Sequence, residues 1–188
     1  MRYEPTAEIM SERQIIIVTG LVDSGKTSWC RELAAADPEC LGVLLPKVYA
    51  EGERIGYDAL RLPVGDRIPF ARAEGHEPSG WSAAQRVGPF WISSVGLKSA
   101  NAWLIEAARQ SRDIIIDEVG PLELGGGGLC RGLRTVLAST LQRELYVVIR
   151  SECVEAVCNC FGIASYTLVE IGTDPGKTPP EKPSPGEA

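Results

Sequence analysis

The sequence predicts an α/β domain: a mostly parallel sheet with helices on both faces and an antiparallel ribbon inserted. Three observations predict it. Short aliphatic runs recur at residues 14–19, 41–45, 113–117, 145–149 and 166–171, and near-continuous apolar runs are the mark of strands buried on both faces. Helical segments separate most of these runs, which calls for parallel pairing through crossover helices. Between Lys47 and Ala73 the rhythm changes. Extended pieces at 56–62 and 68–73 are set apart by the turn signals Glu51-Gly52 and Val64-Gly65-Asp66, the pattern of an antiparallel ribbon.

The elements follow in order. After a charged leader (1–13), the β-branched run 14–19 predicts the first strand. Residues 20–25 interrupt it, and 26–36 has helical composition up to Asp37-Pro38, where proline stops a helix. Residues 41–45 predict a second strand. The polar, glycine- and proline-rich stretch 74–88 predicts a mobile surface loop, and 89–92 a brief strand. Over 97–109, apolar residues fall at Leu97, Ala100, Trp103, Leu104 and Ala107, the spacing of an amphipathic helix. Strand 113–117, a flexible glycine connection at 125–128, helix 129–141, strand 145–149, helix 153–161 and strand 166–171 complete the alternation. The proline-rich end, 173–188, holds too little apolar surface to pack and predicts disorder. One domain over 14–172 is expected.

The 188 residues are 44% hydrophobic and 23% charged, which fits a folded domain with a sizeable core and excludes wholesale disorder. Nineteen basic against 25 acidic side chains give a net charge of -6. That balance argues against nucleic acid or an anionic membrane as partner. The longest aliphatic run, Ile15-Ile16-Ile17-Val18, is too short to cross a bilayer. The charged N-terminus lacks the apolar stretch of a secretory signal, so a cytoplasmic protein is expected. Six scattered cysteines fit a reducing compartment. Cys153, Cys158 and Cys160 lack the paired C-x-x-C spacing of zinc sites and are expected to pack as thiols on a helix.

The segment Gly20-Leu21-Val22-Asp23-Ser24-Gly25-Lys26-Thr27 satisfies G-x-x-x-x-G-K-[ST] between a predicted strand and a predicted helix. Residues Gly20 through Ser28 are expected to cradle phosphates, because a helix start offers unsatisfied N–H groups and a partial positive charge. Lys26 is placed to reach the β- and γ-phosphates, and the Thr27 hydroxyl to ligate Mg²⁺. Asp23 is out of character in an anion-binding loop. It must point outward or coordinate something.

The second signal is Asp113-Ile114-Ile115-Ile116-Asp117-Glu118. Asp117 is expected beside the first strand at the C-terminal edge of the sheet, where open α/β sheets bind ligands, able to hold Mg²⁺. Glu118, pointing another way, is the candidate to orient or deprotonate an attacking water. Arg150 follows strand 145–149 and emerges at the same edge. It is either an arginine that neutralises γ-phosphate charge in cis or a solvated strand end. Arg72 and Arg86 fit surface arginines better than phosphate clamps, and Trp81 and Trp91 fit packing better than base stacking. Glu123 is expected to be structural.

These residues give the chain a resemblance to the THEP1-type nucleoside triphosphatases, also called cancer-related nucleoside triphosphatases. Ile116-Asp117-Glu118-Val119-Gly120-Pro121-Leu122-Glu123-Leu124 is similar to that family's IDEIGPMEL signature. The glycine loop, Gly52 to Leu60 and Arg86-Val87-Gly88 agree in order. The resemblance implies a RecA-like P-loop fold and a Mg²⁺-dependent ATPase/GTPase of broad preference. Gly25, Lys26 and Thr27 then match the Walker A ending, and Asp117 and Glu118 the Walker B acids. The chain departs from the family in its loop interior, Leu21-Val22-Asp23 for the usual Pro-Gly, in its glycines 125–128, and in Lys47, where an acid is more usual.

Hydrolysis of nucleoside triphosphates such as ATP and GTP is the expected function. Phosphoryl transfer to a small acceptor, with 74–88 as a lid, and a nucleotide-dependent switch with slow hydrolysis are the alternatives. A protein partner is not legible in the sequence.

Overall fold

The computed structural model describes residues 13–141 and 143–172. Most of the expected leader, and the tail from 173 onward, lie outside the described residues. The elements are β1 (Gln14–Thr19), α1 (Lys26–Ala36), β2 (Leu41–Leu44), β3 (Lys47–Ala50), β4 (Glu53–Leu62), β5 (Arg67–Ala73), β6 (Ala83–Val87) and β7 (Phe90–Ser93). They continue with α2 (Ser94–Ala107), β8 (Ile114–Val119), α3 (Pro121–Leu124), α4 (Cys130–Ala138), β9 (Glu144–Ile149), a 3-10 turn (Ser151–Cys153), α5 (Val154–Phe161) and β10 (Thr167–Glu170).

The strands form one mixed sheet in the order β10-β1-β9-β8-β2-β4-β5-β7-β6, with β3 on the flank of β4. From β10 to β2 every pairing is parallel. From β2 onward every pairing is antiparallel. The inserted ribbon is thus a continuation of the same sheet. β8 does not lie beside β1, as the sequence reading has it, because β9 sits between them. The central strands share one aliphatic pattern, so the pattern carries no information about their order.

Both faces of the parallel half are covered. Ile15 and Ile17 of β1 join Ile114, Ile116, Leu145 and Val147 in a core closed by α2, α4 and α5. Ile16 and Val18 face the other way, onto Trp29, Cys30 and Leu33 of α1. Two buried faces are why these strands read as unbroken aliphatic runs.

Three local expectations change. Helix α2 begins three residues before the first predicted apolar position, because the Ser93 side chain caps it, accepting from the Gly96 amide at 3.0 Å. The stretch 74–88 contains β6, paired with β7. An edge strand with exposed side chains has no apolar face to announce it. The glycine turn 125–128 is pinned rather than loose. Asn101 donates to the Gly128 carbonyl at 2.9 Å and accepts from Gly132, while Glu123 accepts from the Leu129 and Gly120 amides. Glu123 is buried there, which gives it the structural place the sequence suggests.

Candidate functional site

The glycine loop leaves the C-terminal end of β1 and enters α1 through Gly25, whose φ of 95° lies in the left-handed region that favours glycine. At Gly20 the constraint is space, since a Cβ there would stand 2.2 Å from the Ile171 carbonyl oxygen. The first turn of α1 has no side-chain cap, and the first N–H groups of a helix have no partner within it. Lys26 is buried and folds back on its own loop, donating to the Gly20 and Leu21 carbonyls at 3.0 and 2.8 Å. Leu21, Val22 and Ser28 are exposed and Ser24 is half-buried.

Asp117, on β8, is wholly buried. One of its oxygens, Oδ2, accepts from the Leu45 amide at 3.3 Å. The other, Oδ1, has no hydrogen-bond partner among the described residues. Burial pushes its carboxyl up to about 6, against the influence of the facing Thr27 hydroxyl, the Leu45 amide and the Lys26 charge. Lys26, Thr27 and Asp117 therefore share one neighbourhood, although two segments some ninety positions apart supply them. A buried carboxylate oxygen with no partner, opposite a threonine hydroxyl, is a donor pair of the hard-oxygen kind that suits a divalent cation.

Glu118 follows in the chain across a cis peptide bond. Its carboxylate accepts from Arg150 Nε at 2.6 Å. Arg150 extends from the end of β9, between β1 and β8, so the two residues predicted separately meet in one ion pair at the binding edge. The Arg150 guanidinium is thus held by Glu118 while its side chain stays 43% exposed.

The opposite wall comes from the antiparallel half. Asp23 points outward and pairs with Lys47 of β3 and, at 3.7 Å, with Arg54 of β4. The Arg54 guanidinium lies 5.6 Å from the ring centres of both Tyr57 and Phe90. Burial raises the Tyr57 phenol, opposed first by the Arg54 charge and then by Lys47 and Arg150, while Glu118 acts with burial. The approach of Arg54 to Asp23 and to the Tyr57 and Phe90 rings was not legible, because nothing in Gly52-Glu53-Arg54-Ile55-Gly56-Tyr57 says what the hairpin will face.

Other candidates lie elsewhere. Arg72 is not a surface arginine: it is buried, paired with Asp58 and bonded to the Tyr57 carbonyl. Arg86 stacks on Trp91 at 5.2 Å, and Trp91 sits on β7, six strand positions from β1. Trp81 is half-buried. The six cysteines are free, and of these only Cys160 is exposed. An open groove of about 640 Å³ between α2 and the glycine turn shares no lining residue with the glycine loop or the acid pair. No helix among the described residues is long and apolar enough to cross a membrane.

A first strand running through a glycine loop into an uncapped helix, with an acidic strand end two places along a parallel sheet, defines a P-loop nucleotide-binding protein of the α/β class. The model of the family described as NTPase matches residues 15–171, and the chain belongs to that family. Curated relatives include the nucleoside-triphosphatase THEP1 of a Thermotoga species, 30% identical over 134 residues and 71% of each chain. The THEP1 of Methanopyrus kandleri is 28% identical over 123 residues, a match spanning 63% of this chain and 64% of that one. Among solved structures, THEP1 from Aquifex aeolicus superposes with a TM-score of 0.64 at 20% identity, covering 85% of this chain and 90% of that one. The solution structure of a human cancer-related nucleoside triphosphatase gives 0.63 at 22% identity, covering 84% and 88%. The expected resemblance and fold class are borne out.

Proposed function

We propose that the chain hydrolyses nucleoside triphosphates, ATP and GTP among them, to the diphosphate and phosphate with Mg²⁺. The observation that carries this reading is the convergence of Lys26, Thr27 and the unpartnered oxygen of Asp117 at the start of an uncapped helix. Residues Gly20 to Ser28 wrap the phosphates with backbone amides. Lys26 exchanges its two loop carbonyls for phosphate oxygens and offsets their charge. Thr27 and Asp117 would hold the magnesium ion, which supplies charge neutralisation on the phosphates. Glu118 orients the attacking water and draws off its proton, and Arg150, already bonded to Glu118, keeps that carboxylate aimed and faces the developing charge.

Free phosphate measured across a panel of nucleoside triphosphates tests the reading directly. Release should require the divalent ion and run without any added acceptor. A phosphorylated acceptor in place of free phosphate would establish transfer instead. Lys26→Ala should weaken nucleotide binding by about 1.5–3 kcal/mol, the worth of a hydrogen bond to a charged group. Unchanged affinity in a titration would remove Lys26 from the phosphate site.

A further inference from the structure

In this cleft the loop's own carboxylate occupies cations that a phosphate would want. Asp23 stands on the glycine loop with φ 64°, its side chain 59% exposed and turned to the β3–β4 hairpin. It bonds Lys47, the first residue of β3, and lies 3.7 Å from Arg54, the second residue of β4. That distance is beyond a good hydrogen bond, so Arg54 is held by charge and by the faces of Tyr57 and Phe90, themselves edge-to-face at 5.4 Å. The hairpin is rooted at the site, because Leu45, two residues before β3, donates its amide to Asp117. With Lys26 on loop carbonyls and Arg150 on Glu118, each of these four cleft cations is engaged by a group of the chain itself.

These contacts differ in strength from what a nucleotide offers. An exposed ion pair changes an equilibrium by a factor of about five at most, whereas a charge-assisted bond to phosphate changes it by about ten or more. A phosphate on these cations would therefore outcompete Asp23 for them. We propose that Arg54, seconded by Lys47, is a phosphate-binding residue delivered in cis by the β3–β4 hairpin, and that Asp23 is a built-in competitor holding both until a nucleoside triphosphate arrives. The proposal rests on the nucleotide-binding reading above and adds a second cationic wall opposite Lys26.

The test is the affinity for a Mg²⁺-bound non-hydrolysable ATP analogue, measured by calorimetry on the full chain. Asp23→Asn is the informative substitution, since asparagine tolerates the left-handed backbone and removes only the charge. It should bind about two- to five-fold tighter than the parent. Lys47→Met with Arg54→Met keeps the aliphatic stems and should bind about tenfold weaker or worse. Adding Asp23→Asn to that pair should then gain nothing. A gain that persists or grows in the doubly substituted background is plain repulsion between Asp23 and phosphate, and overturns the proposal. So does Asp23→Asn binding no tighter than the parent. A parent chain that binds no analogue at all would overturn the nucleotide reading as well, which separates the two failures.

Discussion

Glu118→Gln is expected to lose turnover while keeping nucleotide affinity within a few-fold of the parent. The glutamine is nearly isosteric and still offers Arg150 an acceptor in place of the carboxylate oxygen now 2.6 Å away. Its amide has no proton affinity to speak of, so it cannot draw a proton from water. A positioned general base contributes about 10²–10⁴ in rate, and a fall of that size in phosphate release, beside an unchanged binding isotherm, is the expected outcome. The contrast with Lys26 is the informative part. Lys26 is buried under the loop that would carry the phosphates, so its loss shows in affinity. Glu118 is half-exposed at the rim, so its loss shows in rate. Parent-level turnover in Glu118→Gln would leave the carboxylate with only its structural tie to Arg150.

Much of the parallel half was legible in the sequence for a physical reason: strands buried on both faces must be aliphatic at nearly every position, and Ile15 to Val18, Ile114 to Ile116 and Leu145 to Ile149 are. The glycine loop was legible because its backbone geometry admits few residues at Gly20 and Gly25. The order of the strands was not, since β9 and β8 carry the same kind of aliphatic run and nothing local says which neighbours β1. β6 was invisible because Ala83 to Val87 buries no apolar face. The oddity at Asp23 was visible as a charge of the wrong sign for an anion site, yet its meaning needed Lys47 and Arg54 to be brought across from the hairpin. Likewise Arg150 and Glu118 were separately legible from strand ends, but their ion pair depends on β9 lying next to β8. Local chemistry survives translation from sequence, and the pairing of distant segments does not.

Asp117 carries the second large effect, in stability rather than rate. Its carboxyl is raised to about 6 from an ordinary 3.8, first by burial. Between those two values the folded chain keeps a proton that the unfolded chain has released, so stability falls as pH rises through that window and the loss is complete above it. The gap corresponds to on the order of 3 kcal/mol, charged to a group with one oxygen left without a partner. Asp117→Asn removes that charge, and its amide can still accept from the Leu45 N–H that now bonds Oδ2. In a chelator at pH 7.5 the variant should therefore unfold at higher urea than the parent, by about 1–3 kcal/mol, with the difference closing near pH 4. Adding Mg²⁺ and a non-hydrolysable nucleotide should reverse the ranking, because ligand binding stabilises only the chain that can hold it. The neighbours that sense this charge, Lys26, Thr27, Glu118 and the buried Cys30 thiol, are unaltered in the comparison. A variant less stable than the parent in chelator would show that the carboxylate is compensated in the metal-free fold. A reversal is the behaviour of a residue kept charged for a ligand at the expense of the empty protein.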